Sequence, residues 1–525
     1  MNKLLKILCA GLCLAVGVQT VGCAFPFEPD DEEKGDNGGT ETMTELDALQ
    51  NYSKISTYLS PTGSCHDPAI IRVDNNYYLF GTNSTTKLQS NNLINWNFQG
   101  EIFNYNAAYY STGTYVERYD GTRLVSCAKE MVDHVMSYYG NNPQFGETSG
   151  YWAPDIIKYG NEYRLYFCMS LFGKAQSCIG FATASNINGP YTYKGIVMKS
   201  SGYGSVNSYP NAIDPQIIVD KTGRMWMSYG SFFGGIYVVE LDPASGFVKS
   251  GNGFTKGVWV TENPGTKICA GSCEGPFILY NAETDYYYLF VSYGDLNKNY
   301  NVRVGRSKNV TGPYTYSAND GLEMQKSGGN ENNHGNKVLG GYNFGIEDTV
   351  SRMAPGHCSV LSDNGNYYMV NHVRNKGNSL NHYVQIHKII FNEKGWPVVL
   401  PNTYAGETLQ NIGTQNLVGS WKAINFMKTD FVMNNGVDNV QTAQSITVNS
   451  DKSVNGCLKG SVQMYEGGRV RLNVTNNDFG DDEAPFLGTF YGYVVSGYDF
   501  DNRKSTLFLS AMNDYGYTIV AEKVF

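Results

Sequence analysis

Charge is scarce in this chain. Asp, Glu, Lys and Arg supply 17% of its 525 residues, against about a quarter in an average soluble protein, and the net charge is −9. No run of Lys and Arg alternates with aromatics, so the electrostatic footprint of a nucleic-acid binder is missing and nucleic acid is not an expected partner. Long apolar stretches are equally few. The one at residues 7–18, behind Lys3 and Lys6, is too short and wrongly flanked to span a membrane. Cysteine occurs eleven times but in no zinc-ligand spacing, and Cys269 with Cys273 lacks a partner CxxC or His pair. Beyond the leader, Cys65, Cys127, Cys168, Cys178, Cys269, Cys273, Cys358 and Cys457 are expected to be mostly buried packing residues.

What the ends carry is an export address. Residues 1–22 read as a secretory signal peptide, and the closing Val21-Gly22-Cys23 resembles a bacterial lipoprotein signal, which makes Cys23 the lipidated first residue of the mature chain. An ordinary secreted or periplasmic protein is the other reading. The acidic stretch from Asp30 to Asp36 places a disordered tether at residues 23–51, so any membrane contact is expected through the lipid alone, on an outer-membrane, cell-surface lipoprotein that is a monomer. The remaining length is too great for one core and predicts two domains.

One motif recurs five times: a polar or acidic residue beside a proline, an apolar pair, a turn and a Tyr-rich strand. It reads His66-Asp67-Pro68-Ala69-Ile70-Ile71, Ala153-Pro154-Asp155-Ile156-Ile157, Ile213-Asp214-Pro215-Gln216-Ile217-Ile218, Glu274-Gly275-Pro276-Phe277-Ile278 and, without the proline at that place, His357-Cys358-Ser359-Val360-Leu361. Repeats of short strands at a long period predict an all-β, five-bladed β-propeller over residues 52–404. Asn92 to Trp96, Ser185 to Tyr191 and Ser307 to Tyr314 form a second periodic element, each the turn before an outer strand. Residues 415–525 alternate in short strands and predict a small C-terminal β-barrel or sandwich. That domain either packs on the propeller or binds polysaccharide.

In a propeller the equivalent ends of the first strands face one channel, so Asp67, Asp214, Glu274 and His357 are expected to converge there. Taken singly, Asp67 and Asp214 also fit turn caps, and Asp155, past its proline, is assigned that structural role. Glu is a poor turn former, which leaves Glu274 without that account. Forty Tyr and 14% aromatic residues with little charge suit carbohydrate, whose apolar faces stack on rings, although Tyr also simply fills strands. Trp152 and Phe233 are the candidate stacking platforms, with Asn211 and Ser231 as hydroxyl partners.

The motifs His66-Asp67-Pro68, Tyr151-Trp152-Ala153-Pro154-Asp155, Asn211-Ala212-Ile213-Asp214-Pro215, Gly230-Ser231-Phe232-Phe233-Gly234-Gly235, Glu274-Gly275-Pro276, Val302-Arg303-Val304-Gly305-Arg306-Ser307 and Pro355-Gly356-His357, in this order, resemble glycoside hydrolase family 43 and, within it, the arabinanases. The resemblance implies an inverting endo-hydrolase of α-1,5-L-arabinofuranosidic linkages in arabinan. Asp67 would be the general base, Glu274 the general acid and Asp214 the helper that orients Glu274 and raises its pKa. It further implies a hydrated calcium ion near the channel with His357 as its side-chain contact. An inverting pair stands about 6.5–9.5 Å apart, leaving room for water, where a retaining pair stands about 5 Å apart. Alternatives are an exo-acting arabinofuranosidase or β-xylosidase of the same fold, and a non-catalytic surface glycan-binding protein.

Overall fold

The computed structural model describes residues 65–82, 86–102, 125–139, 151–202, 209–316, 321–326, 334–426, 440–479 and 486–524. The signal peptide, Cys23 and the tether lie outside the described residues. Five mainly antiparallel sheets form the blades of a propeller. Their inner strands are Ala69–Val73, Trp152–Tyr159, Gln216–Val219, Cys273–Asn281 and Arg352–Asp363. Each touches the inner strand of the next blade, and the fifth returns to the first. The ring is closed by side chains: Arg72 and the Tyr77 hydroxyl, from blade one, both engage Asp363 of blade five.

Packing explains the two kinds of strand in the sequence. A blade is covered on both faces by its neighbours, so Glu162–Ser170 is buried at every position but the first and reads as a nearly continuous apolar run. Arg469–Asn477, in the C-terminal domain, has one wet face and alternates exposed and buried residues through its first six positions. The second periodic element falls where expected, in the turns between Thr86–Ser90 and Asn97–Glu101, Ser177–Ala184 and Thr192–Ser200, and Asn301–Ser307 and Thr315–Tyr316. The helix Val125–Met136 has no counterpart in the sequence reading. It packs on blade two through Met131, Val132, Val135 and Met136.

The C-terminal domain is a closed eight-stranded barrel from Gly419–Phe426 round to Thr518–Lys523. Trp421, Ile446, Val462, Leu472, Val494, Leu509 and Ile519 fill it, leaving a void of about 20 Å³, too small for a sugar. Its outer face docks on blade five. Ile424, Phe426 and Val520 pack with Tyr342, Phe344 and Ile346, and Arg352 donates to Asp501 at 2.8 Å. One boundary differs from expectation. Val440–Thr442, assigned by sequence to the barrel, pairs in parallel with Gly341–Asn343 and so extends the fifth blade.

Candidate active site

Every blade carries a residue in the left-handed region at the channel end of its inner strand: Asp67 (φ 51°), Ala153 (42°), Asp214 (57°), Gly275 (58°) and His357 (46°), with a second in blade five at Ala354 (51°). Two residues later the ladder runs in register in all five, as Ala69 opposite Phe80, Asp155 opposite Tyr166, Gln216 opposite Ser228, Phe277 opposite Phe290 and Ser359 opposite Val370. His357 thus stands in the column of Asp67 although its blade lacks the proline there. Glu274 does not. It stands one place upstream, and Gly275 takes the column position because a Cβ there would lie 2.9 Å from the His357 ring. For non-glycine residues this backbone region costs roughly 1–3 kcal/mol and persists only where surroundings enforce it.

The enforcing contacts come from the preceding blade. On each second strand, the residue two places beyond the partner just named is Thr82, Cys168, Gly230, Ser292 or His372. Thr82 Oγ1 accepts the Ala153 N–H at 2.9 Å, Ser292 Oγ accepts the His357 N–H at 2.7 Å and His372 Nδ1 accepts the Asp67 N–H at 3.3 Å. The Cys168 sulfur lies beside the Asp214 backbone and itself donates to Trp152 O at 3.4 Å. Gly230 has no side chain to offer, and a Cβ would collide with the Gly235 carbonyl. Asp214 supplies the missing acceptor itself, its Oδ2 taking the Gly275 N–H at 3.1 Å. The peptide that carries Glu274 is therefore tied to Asp214.

These contacts drive the carboxyls apart in acidity. Burial alone would raise Asp67, but the imidazoles of His357 and His66 outweigh it and hold Asp67 well below the usual range. Nδ1 of His66 lies 2.9 Å from Oδ2, Nδ1 of His357 lies 3.1 Å from Oδ1, and the Thr82 hydroxyl donates at 2.6 Å. Burial, with the negative charge of Asp214 added, pushes Glu274 up to about 8. Burial pushes Asp214 up to about 6, opposed by His357. One carboxyl is thus an acceptor of protons at neutral pH and another a donor.

Asp67, Asp214, Glu274, His357, Trp152, Asn211, Ser231 and Phe233 all line one cavity of about 550 Å³. Asp155 lies outside it and braces the ring, its Oδ2 accepting the Ile217 N–H of the next blade at 2.7 Å. Sequence reasoning assigned nothing to four further residues. His66 was quoted in its motif without a role, Thr82 and His372 occupy second-strand positions that the repeat alignment marks, and Tyr300 carries no sequence signal. Phe172, 72% exposed on the rim, was also missed.

Among the described residues, the one compact group of metal-ligand types is His66, Asp67 and His372. Its Nδ1 atoms are engaged with the Asp67 carboxylate and the Asp67 N–H, which disfavours a shared ion. His357 lines the cavity with Nδ1 engaged by the Asp67 carboxylate, which leaves one ring nitrogen and fits a hydrated cation held through one imidazole better than an all-protein cage.

A carboxylate held ionised and a carboxyl held protonated thus line one cavity of a five-bladed propeller, the pairing an acid–base hydrolase requires. Residues 101–397 match the model of the Glycosyl hydrolases family 43, and residues 401–521 match a C-terminal lipocalin-like domain of that family. The chain belongs to glycosyl hydrolase family 43. It is 33% identical to an extracellular endo-α-(1→5)-L-arabinanase of Thermotoga petrophila over 91% of this chain and 97% of that one. An extracellular endo-α-(1→5)-L-arabinanase of Bacillus subtilis is 32% identical over 88% and 93%, and an extracellular exo-α-(1→5)-L-arabinofuranosidase of Cellvibrio japonicus is 29% identical over 64% and 86%. The crystal structure of the Thermotoga petrophila endo-1,5-α-L-arabinanase superposes with TM-score 0.73 at 29% identity, covering 89% of this chain and all of that one.

Proposed function

We propose that this enzyme cleaves α-1,5-linked L-arabinofuranosyl bonds within arabinan, with inversion. The observation that carries the reading is the split in protonation between Asp67 and Glu274 across one cavity. Asp67 takes a proton from the attacking water, and Glu274 protonates the departing glycosidic oxygen. Asp214 holds the Gly275 peptide and keeps Glu274 protonated by its charge. Trp152 and Phe233 offer faces to the sugar rings, while Asn211 and Ser231, hydrogen-bonded to each other at 3.4 Å, present polar atoms to hydroxyls. Endo action is favoured because likeness to the endo-acting relatives runs on through the barrel.

A hydrated calcium ion held through His357 would supply positive charge beside Asp67 and Asp214. Export is supported by the extracellular relatives. Lipidation at Cys23, a cell-surface position on the outer membrane and a monomeric state complete the proposal. Product analysis on debranched linear arabinan, with xylan in parallel and Glu274→Ala as control, tests it. Mixed arabino-oligosaccharides should appear early and vanish in the variant. Arabinose alone from the outset would favour the exo reading, and binding without cleavage the glycan-binding one.

A further inference from the structure

Tyr300 belongs to no motif, yet it joins the two halves of the site. It is 1% exposed, and its hydroxyl donates to Glu274 Oε1 at 2.8 Å. Its ring lies nearly parallel to that of His372, centroids 5.7 Å apart, and His372 accepts the Asp67 N–H. The fold clears a place for the ring, since a Cβ on Gly356 would collide with it. Its backbone is also held. The Tyr300 N–H donates to Asp295 O at 3.0 Å, and Leu296 O of the same turn accepts from Arg374 Nε at 2.8 Å. Asp295, Leu296 and Asn297 line the catalytic cavity.

We propose that Tyr300 is the positioning residue of the acid: by occupying Oε1 as a donor, it confines the transferable proton to Oε2 and steadies the carboxylate left behind. This rests on the hydrolase reading above and deepens it. In the step itself the Oε2–H bond breaks and its proton passes to the glycosidic oxygen, which keeps the electron pair of the breaking C–O bond while the water oxygen bonds to the anomeric carbon from the opposite face. Asp67 receives the proton of the attacking water. Tyr300 keeps its own proton throughout, and its hydrogen bond becomes charge-assisted as Glu274 turns anionic, so it strengthens toward the transition state rather than in the ground state. A group acting this way changes kcat more than KM, and matters most where the leaving group needs a proton.

Tyr300→Phe keeps the ring and removes the hydroxyl. On arabinan, kcat should fall about 10- to 100-fold with KM within about twofold. On an aryl arabino-oligoside with a nitrophenolate leaving group, which departs without a proton, the loss should stay under about threefold. Gly356→Ala, which pushes the ring off Glu274, should give the same disparity. Melting temperature and circular dichroism check the fold of both. Equal losses on the two substrates, or no loss on arabinan, overturn the proposal. If the unaltered enzyme leaves arabinan intact, the arabinan reading fails instead. Tyr300 is then judged by the same contrast between phenyl and dinitrophenyl xylosides, where disparity supports the proposal and uniform loss overturns it.

Discussion

Asp67 and Asp214 hold equivalent places at the same backbone conformation, and their neighbours make them different reagents. Asp67 faces imidazoles and stays ionised far into acid, whereas Asp214 and Glu274 face each other and share the cost of burial. The pH profile of kcat/KM should therefore stay level well into acid, where Asp67 remains ionised, and fall on the basic side near 8 with loss of the Glu274 proton. A profile still rising at pH 9 would remove Glu274 as the acid. The same shift has a stability consequence. Glu274 is raised on folding, so the folded chain binds more protons than the unfolded one and loses stability as pH climbs from the ordinary Glu range to about 8. Glu274→Gln should thus melt several degrees above the parent at pH 7.5, with a much smaller gain at pH 5, while losing about 10²- to 10⁴-fold in activity. Calcium titration by calorimetry should find a site in the parent that His357→Ala lacks. Equal binding by both would place the ion elsewhere.

At the scale of the element, the recurring device is the second-strand side chain that accepts the next blade's column N–H. It was half legible in the sequence. The five-fold alignment marks the positions, but Thr, Cys, Gly, Ser and His share no single chemistry, so no residue pattern announces the function. Two buried serines separate the device from mere burial. Ser292 holds the His357 N–H, and Ser292→Ala should cost about 1–3 kcal/mol by leaving that donor unpaired. Ser359 Oγ has no hydrogen-bond partner, so Ser359→Ala should be close to neutral or mildly stabilising. Urea denaturation of the pair reads the difference, and equal costs would show that the bond contributes nothing.

Across the whole molecule, the barrel is a separate closed sheet that shares an apolar core with the propeller. Val495 and Met512 share a core with Leu339, Val398 and Leu400, Thr518 Oγ1 donates to Lys337 O at 2.8 Å, and Val440–Thr442 completes a propeller sheet. A chain ending at residue 414 should expose that apolar seam, lower the melting temperature and aggregate, as light scattering on heating would register. Full retention of both activity and melting temperature would assign the barrel a role other than packing.

By itself, the sequence determined the five blades and the barrel and singled out Asp67, Asp214 and Glu274, which line one cavity, because strand period, turn chemistry and the motif are local and repeat. It also placed His357 in the column of Asp67, where the proline was absent but the strand register was kept. The tertiary structure alone decided what each acid touches. Asp67 meets His372 across 305 residues of chain, a partner chosen by closure of the ring, and Glu274 meets Tyr300 from the entrance of the third strand of its own blade, a contact set by how that blade folds and by no local pattern. The one-residue offset of Glu274 has the same origin: the column place had to be glycine to admit an imidazole from the neighbouring blade.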